Sequence, residues 1–222
     1  MGYGITVRVK GDYALFTRPE MKVERVSYDV PTPSAVRGIL EAVYWKPAIT
    51  WVVDKIHVIN PIQFTNIRRN EISDKVSTST AKSIMSGNET PFYLDVLSSR
   101  QQRAAIVLKD VDYIIEAHFE MVPEKAGEEG TPEKHYNVAL RRLRKGQHYH
   151  QPCLGTREFP ADIALLEEEK IPESQLSGTQ DLGWMLFEMD FSNPDDIVPI
   201  FFRAIMIDGV IDLRDVHKAG LR

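Results

Sequence analysis

Two helical periodicities set between runs of β-branched residues constrain this chain more than any other feature. Val36, Ile39, Leu40 and Val43 recur at helical spacing behind Thr32-Pro33-Ser34. Thr32 suits a helix cap and Pro33 the first helical position, while Pro47 closes the run. Tyr136, Ala139, Leu140 and Leu143 repeat at i, i+3, i+4 and i+7, with Gly146 as the C-terminal stop. Four extended stretches flank these helices. Ile5, Val7 and Val9 alternate before a Gly11-Asp12 break and Tyr13 to Phe16. Trp51 to Ile59 is rich in β-branched residues and ends near Pro61. Ala105 to Val122 reads as one long strand or as a hairpin centred on Lys109-Asp110, and Pro152 to Ala161 as a fourth strand. Strand, helix, strand, strand, helix, strand is the split βαβ order, so the expected fold is α+β. Residues 1–162 would form a ferredoxin-like, RNA-recognition-motif-like domain.

Beyond it, Leu165 to Gln180 is polar and acidic and reads as a linker. Trp184 to Phe191 alternates apolar and polar, Ile200 to Ile207 is apolar, and Gly209 precedes Val210-Ile211. These features predict a small antiparallel β-sheet region over 163–222. One internal stretch, from about Asn66 to Ala104, has no sustained period and is rich in Ser, Thr and Asn. A connection that long inside a compact domain is usually functional or mobile, and this one is expected to order on RNA or a partner chain.

Composition excludes little. With 222 residues, 43% of them hydrophobic, the chain can bury a core without a disulfide or metal. The lone Cys153 fits a reducing compartment. The sequence shows no charged-then-apolar leader and no apolar run of membrane-span length, so a cytoplasmic protein with no membrane partner is expected. The formal net charge of −5 argues against a nucleic-acid ligand when taken alone. Its distribution argues otherwise. Acidic residues gather at Glu124, Glu128 and Glu129 and at Glu167, Glu168 and Glu169, while Arg141, Arg142, Arg144 and Lys145 lie together on the second helix. A segregated basic face can bind phosphate while acidic patches keep the remaining surface solvated.

That second helix carries the candidate chemistry. Its basic residues lack acidic partners four residues away, and arginine suits bidentate phosphate contacts. Lys134, His135 and Tyr136 stand at its N-terminal end, where free N–H groups favour anions. Lys134 and His135 there could balance phosphoryl charge and move a proton, or could simply be exposed. Tyr44, in Tyr44-Trp45-Lys46-Pro47, is either a core phenol or a residue that meets a base or a reacting hydroxyl. His148, His150 and Cys153 lack zinc-site spacing, and no metal or cofactor is expected. Phosphate-binding loops, dinucleotide fingerprints, nucleophile elbows and the Gly-interleaved aromatics of RNA-recognition motifs are absent from the sequence.

Several ordered stretches resemble the CRISPR-associated family called Cas five, in its d (Dvulg, type I-C) variant of the RAMP superfamily. They are Gly11 to Phe16, Gly38 to Pro47, Arg100 to Arg103, Lys134 to Tyr136, Gln151 to Phe159, Asp181 to Leu186 and Phe201 to Ala204. The resemblance implies a metal-independent endoribonuclease acting in antiviral defence. Such an enzyme cuts CRISPR precursor RNA at the 3′ base of the repeat hairpin, leaving a 2′,3′-cyclic phosphate. It then stays on the 5′ handle of the crRNA with the backbone and large subunits of the interference complex. The family's catalytic Tyr, Lys and His fall on Tyr44, Lys134 and His135. For RNA binding, Arg141, Arg142, Arg144 and Lys145 are expected to act with Arg100 and Arg103 on the repeat backbone. DNA stays open as a further ligand, and the other reading is a non-catalytic 5′-handle-binding subunit.

Overall fold

The computed structural model describes residues 3–21, 23–87, 93–125, 130–167 and 170–218. Glu128, Glu129, Glu168 and Glu169, from the two acidic groups, lie outside them. The chain is α+β and mostly strand. A single antiparallel sheet runs β6(Asp162–Leu165), β1(Gly4–Ala14), β5(Arg100–Met121), β3(Ile49–Val58), β9(Val210–Asp212), β8(Val198–Ile207), β7(Thr179–Asp190). Short β2(Arg25–Val26) and longer β4(Phe64–Ile72) pair with β5 outside that path, β2 in parallel. None of the described helices is long and apolar enough to cross a membrane.

α1(Pro33–Val43) forms where its sequence predicts. Thr32 Oγ1 accepts from Ala35 N–H at 3.2 Å, and Val36, Ile39, Leu40 and Val43 are buried. The helix ends because Tyr44 turns extended, at φ −149° and ψ 118°, with Pro47 close behind. α3(Pro132–Arg144) starts on a Thr131 cap with Pro132 at its first position. α1 packs on β3 and β7, α3 packs on β6, and the two helices touch each other.

Two expectations are revised and one alternative is resolved. Asn66 to Ala104 contains β4, the short helix α2(Thr78–Met85) and the start of β5. β4 runs from Phe64 opposite Leu108 to Ile72 opposite Arg100, yet none of its residues is buried. Its half-covered face carries Thr65, Ile67, Arg69 and Glu71, with Ile67 alone apolar, so no hydrophobic period shows in the sequence. Of the two readings of the third strand, one long strand or a hairpin, the structure has the long strand, although Asp110 takes a left-handed φ of 51°. It holds together by exchanging partners: β4 pairs residues 100–108, β1 pairs 108–118 and β3 pairs 113–121. The fourth strand is β6, after Ala161 instead of before it. Pro152 and Pro160 lack the N–H groups of a ladder, and their segment forms a loop closed by a Cys153–Pro160 bridge. Gly155 is required in that loop. Its φ is 87°, and an added Cβ would lie 2.0 Å from the Leu15 carbonyl oxygen.

β7 and β8 pair as the alternating and apolar runs suggest, and β9 joins them to β3. A two-residue turn with positive φ at Asp208 (48°) and Gly209 (76°) links β8 to β9.

Candidate active site

The seam between the two helices brings together residues far apart in sequence. Tyr44 leaves the end of α1 and meets His135 of α3, with Tyr44 Oη 2.8 Å from His135 Nδ1. Both are buried, Tyr44 at 4% and His135 at 7% exposure. The pair is held from three directions. Trp51 Nε1 of β3 donates to the Tyr44 carbonyl at 2.8 Å, which fixes the backbone. Phe119 of β5 sets its ring edge-on to both His135 and Trp51, with centroids 6.4 and 5.6 Å apart. Arg142 of α3 donates from Nη1 to the Val43 carbonyl at 2.7 Å and lies 5.3 Å from the Tyr44 ring centre.

Burial sets the protonation states. Desolvation pushes the Tyr44 phenol above its ordinary value, against a smaller opposing pull from Arg142. Desolvation also lowers His135 below 6.5, helped by the positive charges of Lys134 and Lys46. A neutral phenol thus faces a neutral imidazole. A phenol is the better donor of the two, so the O–H donates to Nδ1 and the ring proton sits on Nε2. Nε2 is buried and has no hydrogen-bond partner among the described residues. An orphaned donor costs about 1–3 kcal/mol, a cost a core histidine would normally avoid.

The three residues expected at the site are therefore neighbours in chain or space. Tyr44 and His135 are in contact, and Lys134 precedes His135 on the exposed side of the helix start. The sequence alone suggests an open helix end for His135. The structure puts it on the buried stripe with Ala139 and Leu143, at i+4 and i+8. Trp51, Phe119, Lys46 and the ring contact of Arg142 were not anticipated; only the i+7 spacing of His135 and Arg142 hinted at the last.

The expected phosphate-binding residues fall into two places. Arg141 and Lys145 are exposed on α3. Arg144 pairs with Glu167 through its Nε and Nη2. Arg142 is half-buried in the seam. Arg100 and Arg103 stand at the far end of β5, where Arg103 lies 3.4 Å from Glu71 of β4. From Arg103 to Phe119 the strand contour is about 50 Å at ~3.3 Å per residue. One phosphate cannot meet both groups; a ligand of several nucleotides could.

The chain is similar to several known proteins. The family Cas_Cas5d, described as CRISPR-associated protein (Cas_Cas5), matches residues 4–214. A protein of Mannheimia succiniciproducens called CRISPR pre-crRNA endoribonuclease Cas5d is 52% identical over 218 residues, 96% of each chain. One of the same description from Thermus thermophilus is 43% identical over 187 residues, covering 84% of this chain and 73% of its own. Among solved structures, one titled as the crystal structure of a CRISPR-associated protein superposes with a TM-score of 0.68 at 28% identity, over 94% of this chain and 90% of its own. A functionally uncharacterized Streptococcus mutans protein, SMU1763c, gives 0.67 at 26% identity, over 94% of this chain and 91% of its own.

Proposed function

Because the chain belongs to the Cas5d family of CRISPR-associated proteins, we propose that it is an endoribonuclease that processes CRISPR precursor RNA at the 3′ base of the repeat hairpin. The single observation that carries the chemistry is the buried Tyr44–His135 pair with its unpartnered Nε2. The nucleophile is the RNA's own 2′-OH. Its oxygen bonds to the adjacent phosphorus as the P–O5′ bond breaks, giving a 2′,3′-cyclic phosphate and a free 5′-OH. No water has to be activated, so the reaction runs without a metal ion.

Proton movement follows from the tautomer. Nε2–H donates to the departing 5′ oxygen while Nδ1 takes the Tyr44 proton and the phenol oxygen takes the proton of the 2′-OH. This relay never needs a free phenolate, which burial makes costly. Lys134 balances charge on the pentavalent phosphorus. Positioned acid–base groups of this kind contribute about 10²- to 10⁴-fold.

The same reading assigns RNA to a path from α3 to the β4–β5 ribbon, with Arg141, Lys145, Arg100 and Arg103 as phosphate contacts. The order β6-β1-β5-β3, antiparallel throughout with α1 and α3 as its connections, supports a ferredoxin-like core over 1–162 completed by β6, which runs across that boundary to Leu165, and β7 to β9 form the remainder of the 163–222 region. After cutting, the protein keeps the 5′ handle and joins the backbone and large subunits of a type I-C interference complex in a prokaryotic cytoplasm.

The test is incubation of the purified chain with repeat RNA in EDTA, with end-group analysis. Cleavage to 2′,3′-cyclic and 5′-OH ends is expected. A strict requirement for divalent metal, or 5′-phosphate ends, would overturn the mechanism. One observation favours the non-catalytic, handle-binding reading: Nε2 is fully covered in the free chain, so RNA must displace that cover. Tight handle binding with no cleavage in either buffer would select that reading.

A further inference from the structure

Arg142 has the composition of a phosphate contact and the surroundings of something else. It stands seven residues after His135 on α3, two turns along, so both side chains project from nearly the same face. Each takes hold of one part of the same segment. His135 meets the Tyr44 hydroxyl, while Arg142 meets the Tyr44 ring and the Val43 carbonyl. That carbonyl belongs to the last residue of α1, whose final C=O groups have no partner inside the helix. A cation there also complements the negative end of the helix dipole.

Tyr44 is packed in the core, but the helix itself does not set the orientation of its ring. It has left the helix, its backbone is extended, and Trp45 and Lys46, both exposed, follow. The Trp51 bond to its carbonyl fixes the main chain but not the side-chain torsions. A guanidinium against the ring restricts them, because the ring face attracts a cation at this range and the half-buried site limits competition from water.

We propose that Arg142 is a positioning residue, not an RNA contact: it clamps the Tyr44 ring and the end of α1 so that the phenol stays on His135 Nδ1. The proposal rests on the nuclease reading above for its effect on rate, and on the hydrogen bond alone for its effect on structure. Both can be measured separately.

The variants are Arg142→Met, which keeps the aliphatic stem, and Arg142→Lys, which keeps a charge able to donate to the carbonyl and face the ring. Side-chain ¹⁵N NMR of His135 reads the Nδ1 bond in the free protein, whatever the protein catalyses. Arg142→Met should move the Nδ1 resonance toward that of Tyr44→Phe, and Arg142→Lys should leave it near wild type. In single-turnover cleavage of repeat RNA, Arg142→Met should slow the step at least tenfold, with RNA affinity and its salt slope unchanged. Arg142→Lys should stay within about threefold of wild type, as its retained charge can still face the ring. In a Tyr44→Phe background Arg142→Met should cost less than threefold, because residues acting through one another are not additive.

An unmoved Nδ1 resonance in Arg142→Met would overturn the proposal even if cleavage fell. So would weakened binding with a salt slope lower by about one and an unchanged rate, the signature of a side chain that neutralises a phosphate. If wild type fails to cleave while the NMR shift responds as expected, the nuclease reading falls and the clamp remains. Equal melting temperatures of the Lys variant and wild type guard against a folding artefact.

Discussion

The helix seam and the β4–β5 ribbon are built on opposite principles, though one strand, β5, runs through both. At the seam Tyr44 and His135 are almost entirely buried, each side chain is held by several elements, and the pair's hydrogen bonds leave His135 Nε2 unpartnered among the described residues. Along the ribbon no β4 residue is buried, and α2 at its end has no buried residue either. Arg103 and Glu71 face each other across the strands with about 28% of each side chain exposed. Burial makes pKa values and geometry specific, as chemistry requires. Exposure leaves charges screened and movable, which suits tracking a phosphate backbone. The contrast teaches that the basic residues of this chain are not one class. Arg142 belongs to the seam, and Arg100 and Arg103 to the ribbon.

The comparison breaks most easily at His135. His135→Ala should slow cleavage by about 10²- to 10⁴-fold while leaving RNA affinity within a factor of two. Single-turnover kinetics and a binding titration measure the two effects; a large loss of affinity with intact cleavage would reverse the roles of the two regions.

The complementary change is the double variant Arg100→Ala with Arg103→Ala. Affinity for repeat RNA should fall about tenfold at physiological salt, and the slope of log affinity against log salt should drop by about two, one for each phosphate left without its arginine. At saturating RNA the cleavage step should be unchanged. A flat salt dependence in the wild type would remove the ribbon from the RNA path.

A smaller effect separates the regions by pH. His135 is held below its ordinary value of 6.5, so the folded state resists a proton that the unfolded chain accepts. Its contribution to stability is whole above pH 6.5 and is lost as pH falls through the lowered folded value. Denaturant titrations at pH 7.5 and pH 5.5 should therefore show a larger acid-induced loss in wild type than in His135→Asn. Equal losses would mean that His135 is not buried neutral.

The smallest expected change is at Glu167, whose exposed pairing with Arg144 should contribute little to stability. Glu167→Gln should leave the melting temperature within about 2 °C. It should also tighten RNA binding about twofold by releasing Arg144; thermal melts and the same binding titration check both.

How much was legible in the sequence follows the same division. α1 was readable almost to the residue, because Thr32, Pro33 and an apolar stripe act locally. β4 was not, because its half-covered face surrounds Ile67 with the polar Thr65, Arg69 and Glu71 and so leaves no apolar period. At Lys109-Asp110 the choice between one long strand and a hairpin was settled, and the strand expected over Pro152 to Ala161 failed, both for tertiary reasons. β5 continues past a left-handed Asp110 because a second strand takes over its pairing, and β6 is a strand because β1 offers an edge opposite Asp162–Leu165.

By itself the sequence determined α1 and α3, the Thr32 cap and the apolar runs. These are consequences of local sterics and periodicity, which a chain carries wherever it goes; Tyr44, Lys134 and His135 stood out as site candidates through their resemblance to the family. Only the tertiary structure decided that Tyr44 and His135, 91 residues apart, share a 2.8 Å hydrogen bond. It also decided that His135 faces inward and that Arg142 turns from solvent to the Tyr44 ring. Those outcomes depend on which helix faces which, and on the water that their packing excludes, and neither is encoded in any short stretch of the chain.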